Sequence, residues 1–300
     1  MRVVVLGAAA GGGFPQWNSN ASACRRARGG DPAALPRTQA GLAVSADGDR
    51  WFLFNAAPDL REQISRNSVL HPKQGLRSSP IAGVVLTGGD VDVIAGLLTL
   101  RERQSFVLHA TARILGVLDA NPIFEVLDRA VVERRRQDLN ASFALDDVLT
   151  VELFAVPGKT PLYLESGDPA PAILTDETTV GALISDGARK VFFIPGCAVM
   201  PPDLAERLQG ADLVFFDGTL WRDDEMIAAG LGLKTGRRMG HMSLGGPDGV
   251  IEAFRAIKVG RKVALHINNS NPVLLADSPE RAEAEAAGWT IAHDGLEIAL

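Results

Sequence analysis

Three times along this chain an Asp-Gly pair separates two short apolar runs: 42–44 and 51–54 around Asp47-Gly48, 182–184 and 191–194 around Asp186-Gly187, and 290–292 and 296–299 around Asp294-Gly295. Glycine, and to a lesser degree aspartate, adopts the positive φ that two-residue hairpin turns need, so each site predicts a strand–turn–strand unit. Strand–helix units are interleaved with them. A strand over 3–6 feeds Gly7 and the Gly11-Gly12-Gly13 loop, a strand over 84–86 precedes a helix over 91–100, and a strand over 213–216 precedes one over 223–229. A helix over 247–257 leads to a strand over 262–267. Residues 278–287 read as a surface helix capped by Ser278 with Pro279 in its first turn. Residues 18–37 read as irregular. Hairpins and strand–helix units in both halves fit a purely parallel doubly wound sheet less well than a mixed pair. They predict an α/β (α+β) chain of two mixed sheets flanked by helices, in two loosely similar halves. No low-complexity linker interrupts the pattern, so a single domain over 1–300 is expected.

Three hundred residues, 46% of them hydrophobic, suffice to bury such a core. Thirty Lys and Arg against 36 Asp and Glu leave a net charge of -6, which offers no chain-wide attraction for nucleic acid or anionic lipid. No run approaches the roughly 20 uninterrupted apolar residues of a membrane helix. The apolar run before Gly7 is too short for the core of a signal peptide. Cys24 and Cys197 lack a disulfide-framework spacing, and the expected location is the cytoplasm. With only five His and two Cys, any transition-metal site has few nitrogen and sulfur ligands and must draw on carboxylates.

The glycine loop fits neither phosphate-binding pattern. Gln16 stands where the dinucleotide fingerprint needs its last glycine, and Gly13 stands where a P-loop needs lysine. A turn needing positive φ is the simpler account. Asp90 and Asp92 fall just beyond a strand end, where sites commonly form, and can bind a cation or share a proton. Helix capping explains two aspartates at a helix start as cheaply. Asp217, His241 and His266 also stand at element ends, the last followed by Asn268 and Asn269. Singly, each is a cap or a hydrogen-bond partner; together they can converge on a mixed N/O metal site. His71, His109 and His293 are read as structural, and Cys197 as a small buried thiol. No Gly-x-Ser-x-Gly elbow is present. The runs Arg134-Arg135-Arg136 and Arg237-Arg238 lack interleaved aromatics, so surface solvation, or anchoring of a substrate carboxylate by Arg237 or Arg238, suits them better than nucleic acid.

Six blocks together resemble the pyrroloquinoline quinone biosynthesis protein B family over essentially the whole chain: Leu6-Gly7-Ala8-Ala9-Ala10-Gly11-Gly12-Gly13-Phe14-Pro15-Gln16-Trp17-Asn18, Asn55-Ala56-Ala57-Pro58-Asp59, Gly96-Leu97-Leu98-Thr99-Leu100-Arg101-Glu102, Asp217-Gly218-Thr219, Lys234-Thr235-Gly236-Arg237-Arg238-Met239-Gly240-His241 and His266-Ile267-Asn268-Asn269-Ser270-Asn271-Pro272. The resemblance implies the αββα sandwich of the metallo-β-lactamase superfamily. That superfamily's His-x-His-x-Asp-His loop falls on Gly88, Asp90, Asp92 and Val93. Family members commonly lack the first two histidines but keep the Asp-His pair, so Val93 is the departure that matters. The resemblance leaves Asp90, Asp92, Asp217, His241 and His266 to hold Fe(II) or another divalent ion. The superfamily's Gly-His-Thr-Pro turn resembles Gly158-Lys159-Thr160-Pro161, with Lys159 in the histidine's place. A Cys-x-Cys-x-x-Cys zinc knuckle frequent in the family falls on Ser19, Ala21 and Cys24, and no structural zinc is expected from one thiol.

The activity implied is metal-dependent hydroxylation of the tyrosine ring in a peptide-derived Glu–Tyr precursor. Asp92, His266 and Asp90 would act at the reacting centre, and Arg237, Arg238, Asn268 and Asn269 would bind substrate. Val93 favours the alternative of a metal-poor or metal-free carrier of the quinone or its precursor toward the periplasm. A β-lactamase-type hydrolase fits least, because Gly88, Asp90 and Lys159 leave too few ligands for a two-zinc site. The expected partner is a small-molecule or short-peptide precursor, with no nucleic acid and no membrane insertion; a homodimer is the assembly left open.

Overall fold

The computed structural model describes residues 1–165 and 173–300, and these form fourteen strands in two seven-stranded sheets. The first half of the chain supplies β1 (Arg2–Gly7), β2 (Gly41–Ser45), β3 (Trp51–Phe54), β4 (Ile81–Val85), β5 (Phe106–Ala110) and β6 (Val132–Arg136). The second supplies β7 (Ser142–Ala144), β8 (Thr150–Ala155), β9 (Val180–Ser185), β10 (Lys190–Ile194), β11 (Leu213–Asp217), β12 (Arg261–Leu265), β13 (Trp289–Ile291) and β14 (Glu297–Ala299). Their spatial orders are β14-β1-β2-β3-β4-β5-β6 and β13-β12-β11-β10-β9-β8-β7. Each sheet is mixed. Pairs from β14 to β3 are antiparallel and those from β3 to β6 parallel; pairs from β7 to β10 are antiparallel and those from β10 to β13 parallel. The two halves thus repeat one plan of hairpins followed by strand–helix crossovers.

Two of the three Asp-Gly sites are hairpins: β2–β3 with Gly48 at φ 81° and β9–β10 with Gly187 at φ 86°. The third is not, since β13 closes the edge of the second sheet and β14 crosses to the edge of the first. Tertiary hydrogen bonds outcompete local pairing there. The Asp294 carboxylate accepts from Ala8 N (3.2 Å), Thr38 N (2.8 Å) and Thr38 Oγ1 (2.8 Å). Gly295 N donates to Val5 O, and Val5 N to Leu296 O. Residues 18–37, read as irregular, contain a helix at Ser22–Arg28. The helix expected over 91–100 divides into an α turn at Val91–Ile94 and a 3₁₀ stretch at Ala95–Leu100. At the break Gly96 presses on backbone: an added Cβ would lie 2.0 Å from Ala57 O. Helices over 223–229 and 247–257 shrink to Glu225–Ala228 and Val250–Ala253, and the strand over 262–267 stops at Leu265. The surface helix spans Pro279–Ala286, with the Ser278 hydroxyl accepting from Arg281 N at 3.0 Å.

Alternation along the central strands of the second sheet builds two cores. Val191 and Phe193, Leu213 and Phe215, and Val263 and Leu265 join the cluster shared with the first sheet, where Phe54 meets Phe193 edge-on at 6.2 Å. Phe192, Ile194, Val214, Phe216 and Ala264 face the opposite way, into a second cluster with Phe254 and Trp289. Burial on both faces explains why these strands read as continuous apolar runs, each large side chain contributing about 1.5–3 kcal/mol. Among the described residues no helix is long and apolar enough to cross a membrane.

Candidate metal centre

The loops that follow β4, β11 and β12 meet at one rim of the sandwich. His266 Nε2 lies 3.0 Å from Asp92 Oδ2, although 174 positions separate them. Asp217 ends β11 and is fully buried. Its Oδ1 accepts from Thr219 N (3.0 Å) and Thr219 Oγ1 (2.6 Å), and its Oδ2 accepts from Cys197 N (2.9 Å) and faces His241 Nδ1 at 2.7 Å. Burial opposes ionisation of Asp217, yet the charge and hydrogen bond of His241 hold the carboxyl below its usual range.

His266 is the first residue past β12 and sits at φ 57°, a left-handed conformation of the kind that costs a non-glycine residue roughly 1–3 kcal/mol. That turn ends the ladder, letting Ile267 N reach Ala8 O and Asn268 N reach Thr219 O. His241 is placed by a short helix, Gly236–Met239, which Thr235 caps and the left-handed Gly240 (φ 88°) stops. Met242 N then donates to Cys197 O, and the imidazoles of His241 and His266 stack with centroids 5.2 Å apart. Burial lowers the affinity of His266 for protons, but the bond to Asp92 and the nearby carboxylates raise its pKa overall. Burial likewise raises Asp92, and its bond to His266 brings it below the ordinary value. At Asp90, burial followed by repulsion from Asp92 pushes the carboxyl up against the lowering charges of Lys159 and His241.

Asp217, His241 and His266 each offer one ligand atom, all lying within 4.8 Å of one another. The donor chemistry fits a divalent cation: a carboxylate and two imidazoles, with Asp92 against His266, form a mixed N/O set suited to zinc or iron. Two carboxylate–imidazole pairs at 2.7 and 3.0 Å are contacts that a shared cation can replace. The set borders a cavity of about 720 Å³ whose wall includes Asp90, Asp92, His241, His266 and Asn268. Val93 also lines it and presents methyl groups where the resemblance calls for imidazole. Lys159 lines it too, donating to Thr160 O (3.1 Å) and Glu165 Oε1 (3.3 Å).

Other expected residues fall elsewhere. Arg237 is exposed, and Arg238 points toward Glu165 at 3.4 Å; neither belongs to the described cavity wall, whose cations are Lys159 and Lys234. Asn269 sits behind the wall, donating to Gln16 Oε1 (2.5 Å) and accepting from Cys24 Sγ (3.6 Å). Around the zinc-knuckle positions, Arg28 donates to the carbonyls of Gln16 and Ser19, and Arg25 to that of Asn20. Cys197 is buried, which pushes its thiol well above the ordinary range, and its Sγ donates to Val199 O at 3.0 Å. Sequence reasoning passed over Thr219, Lys234 and Gln16. Thr219 carried a signal, a hydroxyl two residues past a strand-end aspartate, whereas Lys234 and Gln16 lie in loops without periodicity.

Fold and rim together define a metallo-β-lactamase-fold protein, and the model of the Beta-lactamase superfamily domain matches residues 50–267. The fold alone is shared with a diphosphatase of the PhnP family, at a TM-score of 0.72 and 21% identity over 99% of this chain and 97% of that one. Within this class the chain belongs to the coenzyme PQQ synthesis protein B family. It is 62% identical to the Gluconacetobacter diazotrophicus member over 99% of this chain and 98% of that protein, and 54% identical to the Xanthomonas campestris pv. campestris member over all of both. The crystal structure of Zn²⁺-bound PqqB from Methylobacterium extorquens superposes with a TM-score of 0.98 at 53% identity, covering all of both chains.

Proposed function

We propose that this chain acts in pyrroloquinoline quinone synthesis by hydroxylating the tyrosine ring of a peptide-derived Glu–Tyr precursor with the help of a bound divalent metal. The carrying observation is the convergence of Asp217, His241 and His266, with Asp92 against His266, beside a cavity of about 720 Å³. Asp92, Asp217, His241 and His266 would hold the ion, and Asp90 supplies a further ligand or a hydrogen-bond acceptor for the substrate. Fe(II) bound there would supply dioxygen activation, with dioxygen as oxidant and an external two-electron donor. The Zn²⁺ described in the Methylobacterium extorquens relative supports a divalent cation without choosing iron.

The remaining residues bind and orient. Leu162, Met226, Leu233 and Met239 give the cavity an apolar side for an aromatic ring, and Lys159 and Lys234 offer cations for carboxylates. Lys159 and Lys234 thereby take over the anchoring role expected of Arg237 and Arg238. A metal-free carrier of the precursor or quinone is the second reading, favoured by Val93 at a ligand position. Anaerobic ferrous reconstitution with metal quantification, followed by oxygen and a Glu–Tyr peptide, separates the two. Stoichiometric iron and a hydroxylated ring support the enzyme. Tight precursor binding without iron or turnover supports the carrier and overturns the enzyme reading.

A further inference from the structure

One buried hydroxyl touches all three members of the ligand cluster. Thr219 Oγ1 lies 2.6 Å from Asp217 Oδ1, 2.9 Å from His266 Nδ1, 3.1 Å from His241 Nδ1 and 2.9 Å from the His266 carbonyl oxygen. A hydroxyl has one hydrogen and two acceptor lone pairs, so it cannot donate to all four. The Asp217 carboxylate and the His266 carbonyl only accept. His241 Nδ1 has a nearer acceptor in Asp217 Oδ2, at 2.7 Å. His266 turns its Nε2 edge to Asp92 and its Nδ1 edge to Thr219.

We propose that Thr219 is a positioning residue that accepts the Nδ1–H of His266 and donates its own hydrogen to Asp217 Oδ1. A ligating histidine normally gives its second N–H to an oxygen acceptor, which fixes both the ring's orientation and which nitrogen stays free. With a cation bound, this one hydroxyl would do so for His266, freeing Nε2 to face the ion in place of its hydrogen bond to Asp92, and it holds the Asp217 carboxylate at the same time. The backbone keeps the hydroxyl in place: Thr219 N donates to Asp217 Oδ1 at 3.0 Å, and Thr219 O accepts from Asn268 N at 2.9 Å. Threonine at this position is thus tied to β11 and to the turn that carries His266, so its hydroxyl sets two ligands drawn from two strands.

The inference rests on the metal site proposed above, and Zn²⁺ alone serves as the probe, with the site defined as the zinc binding lost in His266→Ala. Thr219→Val keeps the side chain's shape and should weaken this binding by about 10–100-fold, while Thr219→Ser should stay within about threefold of the unaltered protein. A second measurement needs no variant. Long-range ¹H–¹⁵N spectra of the zinc-loaded protein should show His266 protonated at Nδ1. Unaltered zinc affinity in Thr219→Val, a Thr219→Ser variant as weak as Thr219→Val, or an unprotonated Nδ1 in the loaded protein overturns the role of Thr219 alone. Absence of any His266-dependent zinc binding in the unaltered protein overturns the metal site and this inference together.

Discussion

Val93 and His109 show how differently single residues read before and after folding. Val93 lines the cavity beside Asp92, so restoring the imidazole should add a donor. We expect Val93→His to tighten divalent-metal binding by about tenfold or more, measured by competition against a chelating dye. Unchanged affinity means that position 93 does not face the ion. His109, read as structural, stacks on Phe143 at 5.0 Å, and its Nδ1 accepts from Gln137 Nε2 at 3.0 Å. Burial, then the charge of Arg135, lowers its pKa from 6.5 to about 4 against the opposing pull of Glu133. The folded state therefore binds fewer protons than the unfolded one between these values. The stability contributed by the neutral ring is complete above pH 6.5 and disappears as pH falls toward 4, amounting to about 2 kcal/mol between pH 7 and pH 5. His109→Gln should remove most of that slope in urea unfolding at the two pH values; an equal slope in the variant assigns it to other groups. Polar residues at element ends were visible in the sequence. The resemblance named Asp90, Asp92, Asp217, His241 and His266 as candidate ligands, but residue pattern alone did not show which of them meet, because a cap and a ligand look alike until distant loops are brought together.

At the scale of elements, the third Asp-Gly site is the most instructive. Its local signal equals that of the other two, but Asp294 spends its carboxylate on Ala8 and Thr38 and thereby sends β14 to the first sheet. Asp294→Ala should cost about 2–4 kcal/mol, since it strands buried donors, and should raise amide exchange in β14 before β13. Matched exchange in the two strands would show that backbone pairing alone places β14. The helix Ser22–Arg28 escaped detection because its first turn lacks a side-chain cap and little apolar periodicity marks it, with only Cys24 and Ala27 buried. Its Arg25 and Arg28 hold the carbonyls of the preceding loop, where the family's zinc knuckle would lie. Chelation should leave exchange in residues 16–24 unchanged, whereas Arg28→Ala should accelerate it several-fold; the reverse pattern identifies a metal at Cys24.

For the whole molecule, the contact between Asp92 and His266 joins a loop of the first sheet to one of the second. A cation bound there acts as a link between the two halves and stabilises the folded state by mass action, about 2.7 kcal/mol at a hundredfold excess over Kd. Thermal melts with and without zinc should show this gain in the unaltered protein and lose it in His241→Ala. The residue pattern by itself determined the hairpins at Asp47-Gly48 and Asp186-Gly187 and the mixed, two-sheet class, because turn propensity and hydrophobic period act over a few neighbouring residues. Its motifs also marked the family. Only the tertiary structure decided the destination of β14, the placing of Lys159 and Lys234 on the cavity wall, and the meeting of Asp92, Asp217, Thr219, His241 and His266. Those outcomes depend on distances between positions far apart in the chain, and such distances exist only once the two sheets have packed.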